Sequence, residues 1–130
     1  MIVDSSAIIA MVLGEPETRM LARALANSQT ARISAPVWLE MSMVIQSPRI
    51  GQARPYVERF VRGLGLEIVA FSEQHAATAL EAWQRYGRGN HPARLNFGDC
   101  MSYATAKLAG EPLLYVGDDF AQTDIESALG

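Results

Sequence analysis

Five carboxylates stand where the chain turns from one predicted element to the next. Asp4 closes the apolar run "MIVD", and Glu40 lies within "PVWLEMSMVI". Asp99 opens "DCMSYATAKLAG", and Asp118 and Asp119 follow "PLLYVG". Carboxylates that converge repel one another and take up protons unless a cation joins them. A hard divalent ion, Mg²⁺ or Mn²⁺, prefers such oxygens and water to nitrogen or sulfur. With water positions left open, such an ion activates a water and polarises a phosphoryl oxygen. The chemistry on offer is metal-assisted hydrolysis of a phosphate ester.

Each acid also has a plainer reading. Asp4 can cap a helix, and Asp118-Asp119 can be a solvated loop pair. Asp99 can be a first-turn acid on a helix dipole, worth ~0.3–1 kcal/mol. Glu40 resists that treatment. Its neighbours predict a helix that is apolar nearly all round, where an unpaired carboxylate is costly to bury.

Other chemistries lack their residues. Cys100 is the single cysteine, which leaves no internal disulfide and no cysteine-based zinc site. It falls within an apolar helix rather than an electropositive site. His75 and His91 are isolated, the first on a helix face and the second in a loop. The serines have no paired histidine. Ser6 stands two residues after Asp4, where an aspartyl-phosphate phosphatase needs a second acid. "GRGNHPAR" neither follows a strand nor leads into Lys-Ser/Thr, so it is no phosphate-cradling loop.

The elements that must position these acids alternate. "MIVD", "ARISAP", "LEIVAF" and "PLLYVG" read as four short strands. Between them lie "SSAIIAMVLG", with Ser5 or Ser6 as its cap, and the amphipathic "EPETRMLARALANSQ". Then come "VWLEMSMVIQ", "PYVERFVRGLG", "SEQHAATALEAWQRYG" and "DCMSYATAKLAG". Strands alternating with helices predict a parallel sheet with helices on both faces. Sites in such sheets form at the carboxyl ends of the strands. That edge is where Asp4, Glu40, Asp99 and Asp118-Asp119 fall.

At 130 residues and 49% hydrophobic content the chain suits one domain, residues 1–130, with one core. No apolar run approaches the ~20 residues of a membrane span, and no secretion signal is evident, so the expectation is a cytoplasmic protein. Net charge is −3, unevenly spread. Arg49 to Arg94 holds seven Arg against four Glu, whereas Leu95 onward holds six acids against Lys107. Arg pairs bidentately with phosphate. Arg85, Arg88 and Arg94, with Arg49, Arg54, Arg59 and Arg62, are therefore candidate phosphate contacts for a phosphodiester substrate.

The opening "MIVDSSAIIAMVLGEPE", "ISAPVWLEMSMVI" and "LNFGDCMSYATAKLAGEPLLYVGDDFAQTDI", in this order and spacing, resemble the PIN-domain ribonucleases. Among these the chain resembles the VapC toxins of type II toxin–antitoxin systems. The resemblance implies an α/β fold: a three-layer α/β/α domain around a short central parallel sheet. It implies Mg²⁺- or Mn²⁺-dependent endonucleolytic cleavage of RNA. It also implies a cognate VapB-like antitoxin whose C-terminal segment covers the active site. Asp4, Glu40 and Asp99 match the family's metal-site acids. Asp118 or Asp119 supplies the fourth, with Asp118 favoured, and Ser6 matches a hydroxyl position beside the site. The loop "RGNHPARLN", with His91 and Asn96, falls where the family varies. Apolar faces around "VWLEMSMVI" and "PYVERFVRGL" suggest a homodimer, with Trp38 in the core or on that surface. The competing reading is a degenerate module of the same fold that only binds RNA or antitoxin. A repulsive carboxylate cluster is useless to such a module.

Overall fold

The computed structural model describes all residues from Met1 to Gly130. Four short strands, β1 (Ile2–Val3), β2 (Arg32–Ser34), β3 (Glu67–Val69) and β4 (Leu113–Leu114), form one sheet in the order β3-β2-β1-β4. Every pairing is parallel. Six α-helices connect them: α1 (Ser5–Val12), α2 (Thr18–Asn27), α3 (Ala35–Ile45), α4 (Arg54–Gly63), α5 (Glu73–Tyr86) and α6 (Phe97–Ala109).

Successive strand residues point to opposite faces, and the core divides accordingly. Val3, Ile33 and Leu114 join Ile8, Leu21, Val37 and Met41 on the α1–α4 side. Ile2 and Leu113 join Tyr86, Leu95, Cys100, Tyr103 and Phe120 on the α5–α6 side. The expected three layers are thus present. The strands run outward from β1 to β2 to β3, and β4 then returns to the other side of β1. That reversal places a crevice at the carboxyl ends of β1 and β4, where open α/β sheets bind ligands. Beyond β4 the chain end covers the open edge. Leu113 N–H donates to Glu126 O, and Ala128 N–H donates to Leu113 O, each at 2.9 Å.

Three local expectations change. Ser5 and Ser6 do not cap α1; Asp4 does, its carboxylate accepting from Ser6 N–H at 3.0 Å. α6 begins two residues before Asp99, because the Asn96 side chain accepts from Asp99 N–H at 2.9 Å. α3 is not buried all round. Trp38, Leu39 and Met43 lie 38%, 54% and 65% exposed, and Glu40 shares that outer side. Only Val37, Met41 and Ile45 of α3 are buried, because the helix offers a single face to the sheet. No helix is long and apolar enough to cross a membrane.

Candidate metal centre

Asp4 leaves the carboxyl end of β1 and is 4% exposed. Its carboxylate is held from two sides. Oδ2 accepts from Ser6 N–H at 3.0 Å, and Oδ1 accepts from Ser102 Oγ–H at 2.5 Å. Ser102 comes from α6 and is fully buried, so this bond ties α6 to the end of β1. Ser6 Oγ in turn accepts from Val116 N–H at 3.1 Å. The hydroxyl therefore anchors the segment leaving β4 to the start of α1.

Asp99 sits three residues after the cap of α6 and completes a reciprocal box. Asn96 N–H donates to Asp99 Oδ2 at 3.0 Å while Asn96 Oδ1 takes the Asp99 N–H. Burial is the first cause that lifts the Asp99 carboxyl to about 6. The charges of Asp4, Asp119 and Glu40 push the same way, and the Asn96 N–H partly opposes them. Four elements of the chain therefore bring acids into one field. Asp118 is not among the charges acting on Asp99. It is exposed, and its backbone oxygen accepts from the Gln122 side chain at 3.4 Å. The turn that separates β4 from this pair passes through Gly117 at φ 107°, a conformation that favours glycine.

Glu40 reaches the same place from α3. A Cβ at Gly98, the residue before Asp99, would stand 3.0 Å from Glu40 Oε2. None of Asp4, Glu40, Asp99, Asp118 and Asp119 forms an ion pair with a basic residue. Asp124 shows the contrast. Burial raises its pKa, but Lys107, Tyr103 and Arg85 outweigh that and hold it below its usual range. The opposite end of the sheet is also neutralised, since Glu111 meets both Arg32 and the Met1 amine.

The acids do not close on one point as a ligand shell of three or more. Of the five, only Asp4 and Asp99 have their carboxylates held by hydrogen bonds, from Ser6 and Ser102 and from Asn96. The donor set nevertheless suits a hard divalent cation. It is all carboxylate oxygen, partly buried and unneutralised, with Asp99 driven toward protonation by burial first and by the other acids after it. Ser34 adds a buried Oγ without a partner at the end of β2.

Of Arg85, Arg88, Arg94, His75, His91 and Cys100, only Arg88 and Arg94 are not engaged elsewhere. Arg85 lies 3.7 Å from Asp124 and over the Tyr86 ring. Arg88 and Arg94 are exposed in the segment between α5 and α6. His91 Nδ1 accepts from Ala93 N–H and packs edge-on against Tyr86, so it shapes its loop. His75 completes the cap of α5 with Ser72. Cys100 is buried, and burial pushes its thiol up to about 11, with Asp99 adding to the effect. It is no nucleophile at neutral pH.

Sequence reasoning missed Ser102 and Gly98. Ser102 had a signal: a hydroxyl three residues after Asp99 in an otherwise Ala-rich apolar helix, hence on the same face.

The PIN domain family model matches residues 1–126. The chain belongs to the PIN-domain family. Ribonuclease VapC36 of Mycobacterium tuberculosis is 47% identical over 127 residues, covering 97% of this chain and 91% of that protein. Ribonuclease VapC42 of the same species is 44% identical over 129 residues, covering 98% of each. Two solved structures share the PIN-domain fold. VapC20 of M. tuberculosis, described as a sarcin-ricin loop cleaving toxin, aligns with a TM-score of 0.70 at 16% identity, covering 95% of each chain. A toxin–antitoxin complex from Klebsiella pneumoniae aligns at 0.67 and 24%, covering 95% of this chain and 92% of that one.

Proposed function

We propose that this PIN domain, residues 1–130 acting as one unit, is an Mg²⁺- or Mn²⁺-dependent endoribonuclease and the toxin of a toxin–antitoxin pair. One observation carries the reading: acids from three other elements act on Asp99, and no basic residue neutralises them. The ribonuclease names of relatives at 47% and 44% identity supply the substrate class.

Asp4, Glu40, Asp99 and Asp119 would hold the cation in this reading, with Asp118 as the alternative fourth acid. When bound, the cation supplies a water of lowered pKa and positive charge for the phosphoryl oxygens. The protein's own groups do the positioning. Ser102 and Ser6 N–H fix Asp4, and Asn96 fixes Asp99. Asp99 would have to shed its proton to serve as a ligand, and in the metal-free protein burial and the neighbouring acids oppose that loss. Arg88 and Arg94 are free to meet phosphates flanking the scissile one, whereas Arg85 must first leave Asp124.

A VapB-like antitoxin neutralises the enzyme by placing an arginine among these acids and an apolar segment in the groove beside them. That groove, about 430 Å³, runs between α5 and α6 and is lined by Leu80, Trp83, Phe97 and Met101. A homodimer forms through the apolar side chains left outside by α3 and α4, among them Met43 and Tyr56. The substrate places the protein in the cytoplasm.

The test is cleavage of total cellular RNA by antitoxin-free protein with Mg²⁺, with Mn²⁺ and with EDTA, beside Asp99→Asn. Discrete fragments that vanish with EDTA and with the variant support the reading. Cleavage that persists in both refutes the site. Metal binding without cleavage leaves the binding module.

A further inference from the structure

Gly98 stands in the first turn of α6, between the Asn96 cap and Asp99. Glycine is among the least favourable residues in a helix. No left-handed backbone requires it here, since Gly98 is absent from the positive-φ glycines. The space around it supplies a reason. A Cβ would stand 3.0 Å from Glu40 Oε2, 3.5 Å from Glu40 Oε1 and 3.6 Å from Asn96 Oδ1. A glycine serving only helix packing would face backbone or apolar atoms. Beyond its chain neighbours and its own helix backbone, the three atoms nearest to such a Cβ are all side-chain oxygens, two of them from one carboxylate.

Glu40 differs from the other acids of the site in how it is held. Asp4 is fixed by Ser6 and Ser102, and Asp99 by Asn96. Glu40 is exposed on α3 and joins no ion pair. We propose that Gly98 is a positioning residue: its missing side chain is the recess that admits the Glu40 carboxylate beside Asp99, so that the two acids address one cation. This rests on the cation-site reading above.

An added methyl at 3.0 Å is tighter than ordinary contact, and the flexible, exposed Glu40 side chain yields before the helix does. The Asn96 oxygen at 3.6 Å is undisturbed, so the cap on Asp99 survives. Gly98→Ala therefore favours the helix while displacing Glu40. Fold stability and cation affinity move in opposite directions, whereas loss of a purely structural glycine lowers both.

The experiment measures Mn²⁺ affinity by titration calorimetry and melting temperature in EDTA. It uses wild type, Asp99→Asn, Gly98→Ala, Glu40→Gln and the Gly98→Ala/Glu40→Gln double variant. Gly98→Ala should weaken Mn²⁺ binding by about tenfold, the scale of lost support around a metal ligand. It should melt no lower than wild type. In the Glu40→Gln background the same change should have no further effect on affinity, because both act through one carboxylate. The proposal is overturned if Gly98→Ala binds Mn²⁺ as wild type does, melts lower, or weakens binding equally without Glu40. A wild type that binds no Mn²⁺ defeats the cation-site reading and the recess with it. Wild-type binding that Asp99→Asn abolishes upholds that reading and leaves Gly98 to be judged alone.

Discussion

Asp99→Asn should make the metal-free protein more stable at pH 8 and leave it nearly unchanged at pH 4. The folded chain holds the Asp99 proton more tightly than the unfolded chain, with a pKa of about 6 against an ordinary 3.8. Stability from this group is therefore fully present below about pH 4 and is lost as pH rises through about 6. At about 1.4 kcal/mol per pKa unit the ionised side chain costs up to ~3 kcal/mol, and partial solvation reduces this to about 1.5. The substitution removes the charge but keeps an amide oxygen to accept from Asn96 N–H, so the cap of α6 persists. The expected gain at pH 8 is thus ~1.5 kcal/mol, or about 5 °C in melting temperature for a chain of this size. Urea titrations in EDTA at pH 4 and pH 8 measure it directly. Added Mn²⁺ should stabilise the wild type at pH 8 and not the variant. A variant less stable than wild type at pH 8, or a gain equal at both pH values, refutes the argument that burial, with the neighbouring acids, disfavours the charged Asp99.

Two further outcomes follow from the same geometry. Ser102→Ala removes the buried donor to Asp4 Oδ1 and should cost about 2 kcal/mol in urea unfolding at pH 7; a change below ~0.5 kcal/mol would show that Asp4 does not depend on it. Asp119→Asn should weaken Mn²⁺ binding at least tenfold, whereas Asp118→Asn should change it less than twofold, because Asp119 is the member of the pair whose charge raises the Asp99 pKa. The reverse order in calorimetry would make Asp118 the fourth acid.

Much of this protein was legible without coordinates. The alternation of short apolar runs with helical periods specified a parallel sheet covered on both faces, because β and α periodicities differ and a parallel sheet must be buried twice. Caps written in side-chain chemistry were legible too. Ser72 opens α5 as expected, and Gly110 closes α6 at φ 64°. Asp4, Asp99 and Asp118-Asp119 lie at strand ends and a helix start, positions readable from local pattern.

What stayed hidden depends on contacts between distant segments. Glu40 was singled out for its apolar neighbours, yet it is exposed. The sequence showed a crowded helix; only its docking decided which side met the core. The dependence of Asp4 on Ser102 spans 98 residues, and no local pattern encodes such a bond. The recess at Gly98 exists only because α3 brings a carboxylate against α6. The sequence alone determined which residue types gather at one edge of the sheet, because strand order and connection length constrain that edge. Tertiary packing decided which oxygens meet, because separations near 3 Å are set by how whole helices seat against the sheet.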